Sequence, residues 1–214
     1  MITVAPSILS ADFGHLSDML DLISESTGHC HLDIMDGHFV PNITIGPPVV
    51  KSLRKHSELY FDCHLMIEEP SKYLEAFHDA GADLVTVHVE VGDTDSLLSQ
   101  IKDLGMDVGL AINPDTPIEK NFQYLQSIDL LLIMSVFPGF GGQKFMPVAL
   151  EKIRKAKEYR QRHGLGFKIE VDGGINLMTA IDCVEAGADI LVSGSTVFDS
   201  GEPTVVIEKL KGLG

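Results

Sequence analysis

Two short stretches of this 214-residue chain set histidine and aspartate at alternate positions in otherwise apolar sequence. One reads Cys30-His31-Leu32-Asp33-Ile34-Met35-Asp36-Gly37, the other Asp62-Cys63-His64-Leu65-Met66. Successive side chains of a strand point to opposite faces, so His31, Asp33 and Met35 share one face and Cys30, Leu32 and Ile34 the other. Asp62, His64 and Met66 likewise share a face, opposite Cys63 and Leu65. A third stretch, Glu170-Val171-Asp172-Gly173-Gly174, ends a strand pattern on a carboxylate. Burying two imidazoles and two carboxylates is costly unless something satisfies them. A divalent cation does so: His31, Asp33, His64 and Asp172 suit zinc, with iron(II), cobalt or manganese as alternatives. The competing reading is a hydrogen-bonded polar core without metal, which explains any one of these histidines better than it explains all four groups together. The neighbouring cysteines are expected to face away, so thiolate ligation is not part of either reading.

Glycine marks a second set of candidates. Phe137-Pro138-Gly139-Phe140-Gly141-Gly142-Gln143, Gly173-Gly174 and Ser193-Gly194-Ser195 each follow a strand pattern. Such loops let backbone N–H groups converge on an anion, although each could equally be an ordinary turn. A phosphate clamp, a Lewis acid and two carboxylates, Asp33 and Asp172, suit proton abstraction beside a carbonyl. One carboxylate removes the proton and the other returns one to the opposite face, which is an epimerisation. Met35, Met66 and Met134 end strand patterns and are core candidates that would also make a water-poor ceiling over a reactive intermediate. His15, His29, His56, His78 and His163 read as solvated helix or loop positions, and His88 as a core histidine. Lys168 shares a face with Asp172 but begins its strand, which weakens a Schiff-base reading.

These groups act together only if a scaffold brings strand ends to one place. Valine-, isoleucine- and leucine-rich runs at 3–5, 30–35, 60–66, 84–89, 108–112, 130–136, 167–172 and 190–193 read as buried parallel strands. Helical patterns lie between them. Leu16, Met19, Leu20 and Ile23 are helically spaced, as are Tyr73, Leu74 and Phe77 after Pro70, and Pro147 opens a long helix over 148–162. Gly81, Gly164 and Gly187 stop helices. Eight strands alternating with eight helices, without a linker, predict one α/β domain over 1–214, a single (β/α)8 TIM barrel. A doubly wound open sheet is the competitor. In a barrel the chemistry gathers at the C-terminal ends of the strands, where Asp33, His64 and Asp172 fall.

Composition narrows the partners. With 16 Lys+Arg against 31 Asp+Glu the formal charge is −15, which argues against nucleic acid or an anionic membrane surface. Three cysteines without paired spacing do not make a disulfide framework. The N-terminus lacks a basic region before an apolar run, and no apolar run is long enough to span a bilayer, so a cytoplasmic protein is expected.

Several motifs carry a resemblance to one family. Pro6-Ser7-Ile8-Leu9-Ser10-Ala11-Asp12, the stretch His31 to Asn42, Pro138-Gly139-Phe140-Gly141-Gly142-Gln143, Glu170-Val171-Asp172-Gly173-Gly174 and Val192-Ser193-Gly194-Ser195 resemble ribulose-phosphate 3-epimerases, in order and across the chain. The resemblance implies a ribulose-phosphate-binding barrel that interconverts D-ribulose 5-phosphate and D-xylulose 5-phosphate through an enediolate. Carried over, His31, Asp33, His64 and Asp172 match the metal ligands, and Asp33 and Asp172 the acid/base pair. Ser7, Gly139, Phe140, Gly141, Gly142, Gly173, Gly174, Gly194 and Ser195 match substrate contacts, as do His31, His64 and Asp172, and Met35, Met66 and Met134 match a sulfur-lined cap. The family forms dimers or hexamers, so a homo-oligomer is implied. Phe137 departs from the family's usual Asn, Asp or Glu and bears on substrate preference rather than on reaction type. Asp62-Cys63-His64 lacks the lysine of related decarboxylases. The alternatives are a 3-epimerase of another ketose phosphate, such as D-allulose 6-phosphate, and a phosphate-binding barrel without catalysis.

Overall fold

The computed structural model describes residues 2–214, and eight parallel strands form its centre. They are β1 (Thr3–Pro6), β2 (His29–Met35), β3 (Tyr60–Met66), β4 (Leu84–His88), β5 (Asp107–Ile112), β6 (Leu130–Met134), β7 (Lys168–Asp172) and β8 (Ile190–Ser193). Each pairs with its sequence neighbour from β2 to β8, and β8 returns to β1. The last join, β1 to β2, is a single parallel bridge between Ser7 and His31. The result is the predicted (β/α)8 barrel.

Alternation along the strands explains how the walls are filled. Cys30, Leu32, Ile34, Cys63 and Leu65 point outward and pack with helix residues such as Val50, Leu53 and Phe77 in the main apolar core. Inward positions of β6 and β8, among them Leu132, Met134 and Val192, pack with Ala5 and Ala111 in a smaller core inside the barrel. On β2, β3 and β7 the inward positions are polar instead. On the neighbouring pair, Gly109 of β5 makes room for Thr86 of β4, since a Cβ on it would stand 2.1 Å from Thr86 Oγ1.

The helices are α1 (Leu16–Ser24), α2 (Pro47–Arg54), α3 (Leu74–Ala80), α4 (Thr94–Asp103), α5 (Val148–His163), α6 (Thr179–Ala186), α7 (Ser195–Phe198) and α8 (Pro203–Lys211). Gly81, Gly164 and Gly187 end α3, α5 and α6 in the left-handed conformation that other residues disfavour. None of the helices is long and apolar enough to cross a membrane, among the described residues.

Strict alternation of strand and helix fails at one place. The connection from β5 to β6 carries a 3-10 helix, Ile118–Tyr124, and two α-helices follow β8 instead. Pro114 and Pro117 use up the start of that connection, because proline fixes φ and removes a donor. Asn121 donates its side-chain amide back to the Pro117 carbonyl at 3.0 Å, which tightens the short remainder. Tyr73 also departs from expectation: it is exposed, and Leu74, Phe77 and Ala80 form the buried side of α3. His29 is the first residue of β2, half-buried against the Tyr60 ring, rather than a solvated loop histidine.

Candidate active site

Register sets the site. In the β2–β3 pair His31 stands beside Asp62, Asp33 beside His64 and Met35 beside Met66, while Met134 of β6 stands beside Asp172 of β7. Inward groups from four strands therefore meet at the C-terminal end of the barrel. His31 Nε2 and His64 Nδ1 lie 3.3 Å apart, and Asp33 Oδ1 lies 3.5 Å from the first and 3.4 Å from the second. Asp172 joins them, with one ligand atom from each of the four residues within 4.8 Å of every other.

Those spacings test whether a cation fits. Nitrogen and oxygen ligands at about 2.0–2.2 Å in tetrahedral array stand about 3.3–3.6 Å from one another. The triangle made by His31, Asp33 and His64 has edges of that length. Its donors are two imidazole nitrogens and a carboxylate oxygen, with a second carboxylate beside them, the chemistry expected for zinc, iron(II), cobalt or manganese. The set fits.

The protein groups alone leave the two carboxyls in different states. Burial works to raise Asp33, but the charge of His31 and hydrogen bonds from His31 and His64 outweigh it and hold the carboxyl well below its ordinary range. At Asp172 burial together with the Asp33 charge outweighs the His31 charge and pushes the carboxyl up to about 7. Burial likewise opposes the charged form of His31, yet the flanking Asp62 and Asp33 carboxylates hold it well above the ordinary histidine value. His64 is lowered, mainly by burial.

Beneath this layer lie groups that the sequence did not single out as site residues. His31 Nδ1 donates to Asp62 Oδ2 at 2.6 Å. Asp62 in turn lies beside Glu170, with ligand atoms of His31, Asp62 and Glu170 within 4.8 Å of one another, and burial and the Asp62 charge hold the Glu170 carboxyl well above its ordinary range. The second Glu170 oxygen, Oε2, is buried with no hydrogen-bond partner among the described residues. His88 is fully buried, with Nε2 2.8 Å from His64 Nε2 and Nδ1 3.1 Å from Glu90 Oε2. Burial pushes its ring down to about 4. The available signals were the shared strand faces of Asp62 with His64 and of Glu170 with Asp172.

A cleft opens above the cluster. Asp33, Asp172 and Ser7 form part of its floor, and Met35, Met66 and Met134 part of its wall. Gly139, Phe140, Gly141, Gly142, Gly173, Gly174, Gly194 and Ser195 surround the remainder, so the glycine loops after β6, β7 and β8 do face one space. His31 and His64 lie below it, fully buried. Gln143 donates its side-chain amide to the Phe137 and Phe140 carbonyls at 2.7 and 2.9 Å, and Asn42 donates to the Gly139 carbonyl at 2.8 Å. Gly174 has φ of +62°, and a Cβ there would stand 2.4 Å from the Phe145 nitrogen. The Phe137 side chain is half-exposed and is not part of the cleft wall.

Comparison with known proteins follows the same outline. A family model described as the ribulose-phosphate 3 epimerase family matches residues 3–198. The chain is 45% identical over 215 residues to a Bacillus subtilis (strain 168) protein named ribulose-phosphate 3-epimerase, covering 99% of each. A Synechocystis protein of the same name is 47% identical over 203 residues, covering 93% of this chain and 88% of its own. Among solved structures, KGPDC from Streptococcus mutans superposes with a TM-score of 0.77 at 12% identity, covering 99% of this chain and 96% of that one. A tryptophan synthase alpha-subunit from Pyrococcus furiosus superposes with a TM-score of 0.71 at 17% identity, again over 99% and 96%. At such identities these structures speak for the barrel alone.

Proposed function

The chain belongs to the ribulose-phosphate 3-epimerase family, and from that membership we propose that it interconverts D-ribulose 5-phosphate and D-xylulose 5-phosphate. The observation that carries the proposal is the His31, Asp33, His64 and Asp172 cluster at the floor of a cleft ringed by glycine loops.

In this reading the four residues hold one divalent cation, with zinc the favoured ion. Bound there, the ion supplies Lewis-acid polarisation of the ketose carbonyl and its adjacent hydroxyl. Asp33 and Asp172 transfer the proton at C3. One takes it from one face, giving an enediolate, and the other returns a proton to the opposite face. Their roles exchange for the reverse reaction. Ser7 donates to Asp33 Oδ2 at 2.6 Å and holds that carboxylate in place. Gly139, Phe140, Gly141, Gly142, Gly173, Gly174, Gly194 and Ser195 take the phosphate end. Buried Met35, Met66 and Met134 keep water from the reacting carbon.

Residues 1–214 act as one domain in this account. The buried free thiols of Cys30, Cys63 and Cys183 suit a reducing, cytoplasmic setting. The test is incubation with D-ribulose 5-phosphate in deuterated water. Deuterium appearing at C3 together with D-xylulose 5-phosphate is the expected result. Full retention of the C3 proton, or preferential turnover of D-allulose 6-phosphate by kcat/KM, would replace the assignment.

A further inference from the structure

We propose that Glu90, acting through His88, sets which ring nitrogen of His64 carries the proton and so aims the His64 Nδ1 lone pair at the cation-ligand cluster. The inference rests on the reading that a divalent cation binds there, and it assigns Glu90 and His88 as positioning residues.

With His88 neutral, as its full burial favours, the chain of contacts has one self-consistent arrangement of protons. Glu90 Oε1 accepts from the Asn113 backbone N–H at 2.8 Å and from the Thr116 hydroxyl. Those donors hold Glu90 as an acceptor-only carboxylate, so the nitrogen facing its other oxygen, His88 Nδ1, carries hydrogen. The reverse would point an imidazole lone pair at a carboxylate oxygen. A neutral His88 then presents a bare Nε2, and His64 Nε2, 2.8 Å away, must donate to it. His64 is left with its lone pair on Nδ1, the atom 3.3 Å from His31 Nε2 and 3.4 Å from Asp33 Oδ1. Fixing the tautomer in this way raises ligand basicity and orients the ring.

The anchor of this relay is itself held. Lys152 Nζ donates to the carbonyls of Asn113 and Thr116 at 2.5 and 2.7 Å, pinning the segment that supplies both donors to Glu90. His31 obeys the same logic through a different partner, since its Nδ1 donates to Asp62 and leaves Nε2 toward the cluster. The two histidines are thus turned to use opposite ring nitrogens, and each has its own carboxylate behind it.

Glu90→Gln tests the relay with little change of shape. Its amide oxygen can stay with Asn113 and Thr116, which turns the NH2 toward His88 Nδ1. The proton then moves to His88 Nε2 and, in consequence, to His64 Nδ1. Long-range proton–nitrogen correlation spectra of the metal-free protein should show His64 protonated at Nε2 in the wild type and at Nδ1 in the variant. Zinc affinity, measured by competition with a chelator, should fall about 10–100-fold in the variant, with inorganic phosphate binding unchanged. Thr116→Val disturbs the same segment but leaves the carboxylate, and should keep the wild-type tautomer. A wild-type His64 protonated at Nδ1 overturns the proposal without any variant. Unchanged tautomer and zinc affinity in Glu90→Gln overturns it as well. If the tautomer switches but the wild type binds no zinc, the positioning role stands and the cation reading fails.

Discussion

Ser7 donates its hydroxyl to Asp33 Oδ2 at 2.6 Å, which leaves Oδ1 as the oxygen turned toward His31 and His64. A residue just past β1 therefore fixes the rotation of a carboxylate on β2. Ser7→Ala removes that restraint and strands a buried acceptor, at a cost of about 1–3 kcal/mol. We expect kcat to fall about tenfold or more, by the same reasoning, with the fold intact. Steady-state kinetics beside a urea melt will separate the two effects, and unchanged kcat would remove Ser7 from the positioning of Asp33.

Asp172→Asn keeps the shape of the side chain and removes its capacity to exchange a proton. Turnover should fall by about 10²–10⁴ or more. Phosphate-ligand binding should survive, because the glycine loops are untouched. Turnover within a few-fold of wild type, read by deuterium entry at C3, would leave Asp33 as the sole acid/base.

Removal of the cation should abolish epimerisation. Dialysis against a chelator is expected to give inactive protein, with zinc or iron(II) restoring activity in proportion to the metal bound. Protein shown by elemental analysis to be metal-free, yet fully active, would sink the Lewis-acid role.

As pH rises toward neutrality the metal-free protein should lose the stability that the Asp172 proton contributes, while the lowered His64 and His88 work the other way. Asp172 is pushed up from 3.8 to about 7 in the fold, so the folded chain keeps a proton that the unfolded chain releases. The associated stability is complete below the unfolded value and is lost as pH climbs through 7. His31, also raised, works in the same direction. Urea midpoints of the chelated wild type should therefore fall relative to those of Asp172→Asn, whose neutral amide cannot take part, as pH rises from 5 to 8. Parallel curves for the two proteins would contradict the raised Asp172.

Gly174→Ala probes the anion side. The new Cβ would meet backbone, the Phe145 nitrogen at 2.4 Å and the Gln143 carbonyl at 2.8 Å, at a φ of +62°. Neither neighbour can swing aside as a side chain would, so the loop must move at a cost of about 1–3 kcal/mol. KM for the sugar phosphate should rise about tenfold with a smaller change in kcat. An unchanged KM would mean that this loop does not hold the phosphate end.

The polar faces of β2, β3 and β7 were legible because period-two alternation is a local property, and Leu32, Ile34, Cys63 and Leu65 marked the outward side without help from the rest of the chain. Helix ends at Gly81, Gly164 and Gly187 were legible for the same reason. Partners across the barrel were not. Nothing near Glu90 in the sequence announces Asn113 or Thr116, and the meeting of His64 with His88 depends on how neighbouring strands tilt. Glu170 shares a face with Asp172, but the upward shift of its carboxyl comes from burial and from the Asp62 charge on another strand. The 3-10 helix after β5 was masked by an expected rhythm that two prolines interrupt. Phe137 shows the opposite limit: its place in the glycine-rich motif suggested a substrate neighbour, and its side chain turns out to solvent.

The weakest stave of this cylinder and its reacting edge coincide. Elsewhere adjacent strands share a ladder of several residues, whereas among the described residues the β1–β2 side is closed by one bridge, from Ser7 just past β1 to His31, and both of these touch the same carboxylate, Asp33. Whatever gathers those side chains around a bound ion or sugar must also draw the first strand against the second. Ligand occupancy and resistance to local unzipping are then one equilibrium seen from two sides.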